Sequence, residues 1–391
     1  MGGVESTEHT RDPAGGANLP VLRGHNAALL LDLLRAAGEG GISRLELAER
    51  TGLTPQAVSK ITARLRAEGL AEEAGRRAST GGKPRTVLRL VPSAAHAVGL
   101  HLDRDELTAV LVDLAGVPVA VRTAPLDLGA GAEQVVEAAA REVEAVREAV
   151  HQAVRADARP YPGEPLGVGV AMPGHLNHVA GVTRRVTGFP RWNGFPLRAA
   201  LAERLGLPVA LDKDTNAAAL GLALRGPGGT GDSFAYLHLG TGLGAGLVLG
   251  GALHRGSRTG AGEFGHQVIQ LDGPLCHCGN HGCVEALCLA AVGRGDLPEA
   301  ARVLGVGAAN LVALLDIDRV LLGGRTIAAA EECFVRGVGA VVADFAGRSG
   351  SAVIPVAPAG GGAHAVAEGA AQLVLAPVFG HRRGQVLGLG R

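Results

Sequence analysis

The sequence lacks the long apolar segments that cross or target membranes. No run of about 20 residues is both apolar and free of charge, so a membrane-spanning helix is not expected. Residues 1–20 are polar, contain glycine and proline and have no apolar core, which argues against a secretory signal. This segment is interpreted as a flexible tail, and the protein is expected to act in the cytoplasm without a membrane partner.

Cysteine is scarce, and net charge is absent. Five cysteines in 391 residues are too few for a disulfide scaffold, and three of them lie within eight residues, which favours a metal site in a reducing compartment. Basic and acidic residues number 37 each, so a nucleic-acid partner must be sought in a local patch. The 47% of apolar residues suffices for a large core, and the length fits two or three domains.

The segment 21–92 has the pattern of a winged helix-turn-helix. Residues 25–37 carry apolar side chains at helical spacing, Ser43 and Glu46 predict a capping box before a second helix, and Thr54 with Pro55 begins a third. Strand candidates at 70–73 and 86–91 predict a two-stranded wing. A small three-helix packing module is the alternative interpretation.

Local charge favours a DNA-binding winged helix-turn-helix over a packing module. Between Thr54 and Val91 there are eight basic and three acidic residues, in a chain whose total charge is zero. A basic third helix and wing is typical of proteins that bind DNA phosphates, and short polar side chains on that helix can reach base edges. The residues expected to contact DNA are Thr54, Gln56, Ser59, Lys60, Arg64, Arg76, Arg77, Lys83 and Arg85.

Residues 93–391 change to an α/β pattern. An amphipathic helix is predicted at 134–154, and apolar runs alternate with other helical segments. About 300 residues of this kind can form one two-lobed domain or two similar halves. The predicted strands are 97–102, 107–112, 166–171, 208–211, 234–239, 245–249 and 320–322.

A compact group of histidine and cysteine, within a loop at 263–285, predicts a metal site. One imidazole and three thiolates are enough to close a tetrahedral structural zinc site, with no open position for catalysis. The expected ligands are His266, Cys276, Cys278 and Cys283. His277 and His281 are alternatives to His266, whereas Cys288 and Cys333 are interpreted as packing residues.

Two further signals are weaker. Asp214 follows a predicted strand and precedes an alanine-rich helix, where its carboxylate could accept a proton or hydrogen bond from a substrate hydroxyl. The same residue could equally be a helix N-cap. The glycine-rich turn at 240–246 would allow close backbone approach to a phosphate, although such turns are common in a chain with 61 glycines.

The chain resembles the ROK family (repressors, open reading frames and sugar kinases) across nearly its whole length. The motif that carries the resemblance is Glu263-x-Gly265-His266-x9-Cys276-x-Cys278-Gly279-x2-Gly282-Cys283-x-Glu285. The resemblance implies an actin-like, ribonuclease-H-like domain of two lobes around a cleft. It implies that Asp214 corresponds to the catalytic base of the kinases. It also implies that His266 contacts a sugar hydroxyl through one ring nitrogen and zinc through the other. The effector-binding residues that it implies are Gly174, Asp214, Glu263, His266 and Glu285.

Three departures from the family pattern weigh against a kinase. Residues 101–107 contain three carboxylates and no glycine where the kinases have a phosphate-binding loop, and carboxylates repel a triphosphate. Lys213 stands where the family usually has Asn, and only 24 residues separate Glu285 from Asn310, which shortens a helical segment. ATP is therefore not expected as a cofactor, and the protein is interpreted as non-catalytic.

The sequence thus predicts a transcriptional regulator, most simply a repressor, whose kinase-like domain senses a sugar or sugar phosphate. A pair of half-sites on double-stranded operator DNA needs two binding units, so a homodimer or homotetramer is expected. One alternative is an ATP-dependent hexose kinase with an attached DNA-binding domain. Another is a regulator that has lost its small ligand.

Overall fold

The computed structural model describes residues 24–77, 85–156, 163–225 and 232–381. The expected tail at 1–20 and Lys83 lie outside the described residues, and only the backbone is described for Arg77 and for residues 150–156. The domain boundaries expected from the sequence stay predictions.

The first part of the described chain is a winged helix-turn-helix. Its elements are α1 (His25–Ala37), β1 (Ile42–Ser43), α2 (Arg44–Thr51), α3 (Pro55–Ala67), β2 (Ala71–Arg77) and β3 (Arg85–Leu90). The predicted capping box of Ser43 and Glu46 is present, and Thr54 caps α3 by accepting a hydrogen bond from a backbone N–H. The predicted two-stranded wing is present as the antiparallel strands β2 and β3, and the unpredicted β1 joins their sheet in the order β1-β3-β2. Strand β1 is too short to show an alternating pattern, and it joins the sheet with Ile42 buried.

The first lobe is built on a five-stranded sheet. Its elements are β4 (His96–Leu102), β5 (Glu106–Asp113), β6 (Pro118–Pro125), α4 (Ala132–Ala156), β7 (Val168–Met172), β8 (Leu176–Asn177), β9 (Val182–Thr183), α5 (Leu197–Leu205) and β10 (Val209–Lys213). The strand order is β10-β7-β4-β5-β6, with β10, β7 and β4 parallel and β5 and β6 antiparallel. Strand β6 was not predicted, because it lies at the edge of the sheet and its mostly exposed residues give no apolar pattern.

The second lobe repeats the plan with another five-stranded sheet. Its elements are α6 (Asp214–Arg225), β11 (Phe234–Leu239), β12 (Leu243–Leu249), β13 (Ala252–Leu253), α7 (Val284–Gly293), α8 (Leu297–Leu315), β14 (Arg319–Gly323), α9 (Arg325–Ala328), α10 (Glu331–Ser349), β15 (Val356–Pro358) and α11 (Ala365–Leu375). The strand order is β13-β12-β11-β14-β15. The predicted α/β fold, with a winged helix-turn-helix and two lobes, is therefore confirmed.

Two helices connect the sheets of the lobes. Helix α11 packs on β4 and β7 of the first sheet, α6 packs on β11 and β12 of the second, and the two helices pack on each other. Glycine is required at these contacts. An added Cβ would lie 1.8 Å from the Ala367 carbonyl oxygen at Gly99 and 2.0 Å from the Ala217 carbonyl oxygen at Gly369. The lobes are thus joined through closely packed backbone.

The winged helix-turn-helix is attached to the chain that follows α11. Its apolar core is continuous with Val378 and Phe379, which are both buried. On α1, the guanidinium of Arg35 lies 4.6 Å from the centre of the Phe379 ring, and Asp32 is 3.1 Å from Nε2 of the buried His381. Although burial alone would raise the pKa of Asp32, its bonds to His381 and Arg35 hold that pKa below the ordinary value.

One helix of the second lobe is apolar enough to be compared with a membrane span. By length and composition alone, α8 could cross a bilayer, but half of its apolar window is buried within the protein, as in a core helix.

Candidate functional site

The predicted DNA-binding side chains that the structure describes are all exposed. On α3 they are Gln56, Ser59, Lys60 and Arg64, and Thr54 precedes them. The wing adds Arg76 and Arg85. Each of these four basic side chains forms no ion pair with another residue of the described ranges. We call Lys60, Arg64, Arg76 and Arg85 the basic surface.

Part of the positive charge counted from the sequence is neutralised within the domain. Arg66 forms an ion pair with Glu73 at 3.0 Å, and Arg89 forms one with Glu72 at 2.6 Å. Arg66 is exposed and Arg89 is half-buried, and the carboxylate partners of both would have to be displaced before these arginines could bind phosphate. The basic surface is therefore smaller than the local charge excess suggested.

The opposite side of α3 packs into the domain. Val58 and Leu65 are buried, whereas Ala57 and Ile61 are only partly buried. Thr62 is also buried, and its hydroxyl donates a hydrogen bond to the Val58 carbonyl, which satisfies the polar group within the helix.

The predicted metal ligands converge. The donor atoms of His266, Cys276, Cys278 and Cys283 all lie within 4.8 Å of one another. The Sγ atoms of Cys278 and Cys283 are 3.7 Å apart, and Cys276 Sγ is 3.7 Å from His266 Nδ1. Zinc–sulfur bonds of about 2.3 Å at tetrahedral angles place two sulfurs about 3.8 Å apart, so the donors fit a tetrahedral Zn²⁺.

Neither alternative histidine belongs to this group. Nδ1 of His281 lies 3.1 Å from the Gly273 carbonyl oxygen, and His277 is exposed. Of the other cysteines, Cys288 is fully buried, and burial raises the pKa of its thiol to about 12, as expected for a packing residue.

The predicted effector residues line one cleft between the lobes. Asp214 begins α6 directly after β10, and its Oδ1 accepts a hydrogen bond from the Thr215 backbone N–H at 2.7 Å. Glu285, at the start of α7 and buried, accepts one from the Leu243 backbone N–H at 2.9 Å. The cleft also contains Gly174, Glu263 and His266, so a single ligand could contact all five predicted residues.

The cleft is also lined by a lysine side chain. Lys213 is nearly buried, with Nζ 2.6 Å from Glu263 Oε1 and 2.9 Å from the Ala261 carbonyl oxygen. His175 Nε2 lies 3.4 Å from the other oxygen of Glu263. Burial alone would raise the pKa of Glu263, but the Lys213 ammonium holds it below its usual value. Glu263 is therefore a negatively charged hydrogen-bond acceptor that already contacts the side chains of Lys213 and His175.

Arg325 forms a second bridge between the lobes, next to the cleft residue Asp103. Its guanidinium contacts Asp105 at 2.8 and 3.2 Å and lies 3.5 Å from Asp103, and Thr241 donates a hydrogen bond to Asp103. The hydrogen bond from Arg325 lowers the pKa of Asp105. This is where the sequence predicted that carboxylates would exclude a triphosphate. The carboxylates are present, and Arg325 joins them to the second lobe.

Sequence reasoning missed His238, which lines the cleft, and its neighbour His101. His101 and His238 lie with ring centres 6.5 Å apart, and His238 Nδ1 is 2.9 Å from the Tyr236 hydroxyl. Desolvation lowers the pKa of both imidazoles, so both are neutral near pH 7. Their one sequence signal was a polar residue in each of two otherwise apolar strands.

Comparison with known proteins agrees with this geometry. A model described as ROK family matches residues 119–293, and one described as winged helix-turn-helix DNA-binding matches residues 29–72. The crystal structure of the ROK hexokinase from Thermus thermophilus is 31% identical, with 71% of this chain and 97% of that chain covered and a TM-score of 0.55. The chain belongs to the ROK family.

Two other proteins are similar over most of the chain. A putative xylose repressor of Caldicellulosiruptor sp. (strain Rt8B.4) is 28% identical over 325 residues, which is 73% of this chain and 79% of that protein. A crystal structure of a ROK family transcriptional regulator, a homologue of the Escherichia coli MLC protein, superposes with a TM-score of 0.69. It covers 92% of this chain and 98% of that one at 22% identity, and at this identity it supports the ROK fold alone.

Proposed function

We propose that this ROK protein is a cytoplasmic DNA-binding regulator, most simply a repressor, and that a sugar or sugar phosphate in the cleft changes its affinity for an operator. The observation that carries the proposal is the basic surface on the third helix and wing of a chain that also has a ligand-sized cleft. A sugar kinase has no need of such a surface. The similarity to a putative xylose repressor supports the sugar as effector.

The packing offers a route from the cleft to DNA. Asp214, which faces the cleft, is the first residue of α6, and α6 packs on α11. The segment after α11 holds α1 through Phe379 and His381. A ligand that moves α6 would therefore bias the placement of the winged helix, which is the linkage that an effector requires. We further propose a homodimer or homotetramer, since paired half-sites need paired winged helices.

We propose that zinc at His266, Cys276, Cys278 and Cys283 is structural. Bound there, the ion would cross-link the loop that carries Glu263 to the start of α7, which carries Glu285. Its four protein donors leave no vacant position, so its contribution is to fix the cleft wall rather than to activate a ligand.

The second candidate function is a hexose kinase with an attached DNA-binding domain. Asp214 stands where a base could accept a proton from a sugar hydroxyl, which favours this alternative. The bridge from Arg325 to Asp103 and Asp105 opposes it, because phosphoryl transfer depends on positioning and neutralising phosphate charge. We therefore propose a non-catalytic domain that does not use ATP.

The test uses the full-length protein and an operator selected from random-sequence DNA. Xylose, glucose, N-acetylglucosamine, their phosphates and ATP are each tested for a shift in melting temperature and in operator affinity. We expect one sugar or sugar phosphate to change both and ATP to change neither.

Two variants identify the site. Asp214→Asn should weaken the response to that ligand, whereas Asp344→Asn, an exposed carboxylate of α10, should not. Failure of the parent protein to select any DNA would refute the regulator. Transfer of phosphate from ATP to a hexose, lost in Asp214→Asn, would establish the kinase instead.

A further inference from the structure

A segment of the second lobe lies across the cleft and holds the first lobe. We call residues 254–263 the strap. Both of its ends are attached to β12, since His254 donates a backbone hydrogen bond to Leu247 at 2.7 Å and Ala245 donates one to Gly262 at 2.9 Å. Its middle contacts residues of the first lobe. The strap is therefore a bridge between the lobes.

Two ion pairs near the ends of the strap reach the first lobe. Near one end, Arg255 Nε lies 2.6 Å from Asp212 Oδ2, with the aspartate fully buried and the arginine nearly so. At the other, Glu263 pairs with Lys213. Asp212 also accepts a hydrogen bond from Asn216 at 2.8 Å, so the pair contacts the first turn of α6.

Between these ion pairs the strap is strained. Thr259 has φ of +60°, a conformation that a β-branched residue rarely adopts, and it is 3% exposed. Its hydroxyl is 2.8 Å from Nδ1 of His178, which lies between β8 and β9 of the first lobe. Strain of this kind persists only where surrounding contacts impose it, and it would be relieved if those contacts opened.

We propose that the strap is a conformational lock, which contributes to holding the lobes closed and opens as a unit when its contacts with the first lobe are broken. A strained segment with contacts at three points favours two discrete states over gradual loosening. Any molecule that contacts Glu263 or Lys213 would compete with the lock. The lock is therefore the element through which cleft occupancy would change the separation of the lobes.

The experiment measures amide hydrogen exchange of the full-length protein without added ligand. Arg255→Met removes one ion pair and should speed exchange of the strap amides by about tenfold or more, since opening free energies are local. This variant leaves Asp212 buried and unpaired, so His178→Ala is the second variant. It removes the imidazole contact with the Thr259 hydroxyl without leaving a buried charge, and it keeps only the longer backbone N–H contact of 3.4 Å. It should therefore act in the same direction.

Two comparisons separate the lock from general loosening. Amides of β4 report global unfolding, and their exchange should not change in His178→Ala. Arg325→Met breaks an ion pair between the lobes that does not involve the strap, so it should leave strap exchange unaltered. Small-angle scattering should show a larger radius of gyration for Arg255→Met and His178→Ala. Unchanged strap exchange in both variants, or equal acceleration in Arg325→Met, would overturn the proposal.

Discussion

The basic surface makes a quantitative prediction about salt. Each lysine or arginine that neutralises a DNA phosphate steepens the dependence of log affinity on log salt by about 0.9. Arg76→Ala should therefore lower the slope by about 0.9 for each winged helix engaged. Raising the salt from 50 to 200 mM weakens DNA binding. The loss of one contact should make this weakening smaller by a factor of about 3.5, and the loss of two contacts in a dimer should make it smaller by a factor of about 12.

The structure supplies a matched control for this experiment. Arg89 is also an arginine of the wing sheet with a partly exposed side chain, but it is paired with Glu72. Replacing it removes an arginine that is already neutralised, so the slope should change by much less than for Arg76→Ala. Gln56→Ala should alter sequence preference and leave the slope unchanged, since a neutral side chain releases no counterion.

The assay is fluorescence anisotropy of a labelled operator titrated at five salt concentrations, with the full-length protein. Equal slopes for Arg76→Ala, Arg89→Ala and the parent would refute the assignment of this surface to DNA phosphates. A larger change in slope for Arg89→Ala than for Arg76→Ala would show that the pairing of Arg89 with Glu72 does not persist in solution. Arg89 would then have to be counted in the basic surface.

Three further predictions concern metal, acid and packing. Freshly purified protein should carry about one zinc per chain by elemental analysis, and Cys278→Ser should lose it. Asp32→Asn should destabilise the protein to urea at pH 7, and this destabilisation should decrease progressively as the pH falls below 3.8. Because the folded protein holds the pKa of Asp32 below its ordinary value of 3.8, the ionised carboxylate stabilises the fold at pH values above 3.8. This stabilisation is lost as the carboxylate becomes protonated at lower pH. Gly369→Ala should cost about 1–3 kcal/mol or more in urea unfolding, because its Cβ would lie 2.0 Å from the Ala217 carbonyl oxygen; a cost below about 0.5 kcal/mol would contradict the close approach of α6 and α11.

Local features were predictable from the sequence because they depend on neighbouring residues. The caps of α2 and α3 need side chains only three residues away, and the metal donors from Cys276 to Cys283 follow one short loop. Strand β1 was missed because two residues contain no period, and β6 was missed because an edge strand is under little pressure to be apolar.

Contacts between the lobes could not be predicted, since only the complete fold brings their residues together. Lys213 was recognised as a departure from the family, but its partner Glu263 is 50 residues away. Arg255 and Asp212 are 43 residues apart, and Arg325 and Asp105 are 220 apart. The sequence shows each charge, and nothing local shows which opposite charge it meets.

The attachment of α1 to the segment after α11 has a consequence for protein synthesis. Asp32 and His381 are separated by 349 residues, and the apolar core of the winged helix includes Val378 and Phe379. At a ribosomal rate of about 5–20 residues per second, α1 waits on the order of 20–70 s for the residues that complete its core. During that interval the nascent winged helix has an uncovered apolar face. A polypeptide cut short before Val378 would therefore carry a winged helix-turn-helix whose apolar core is incomplete.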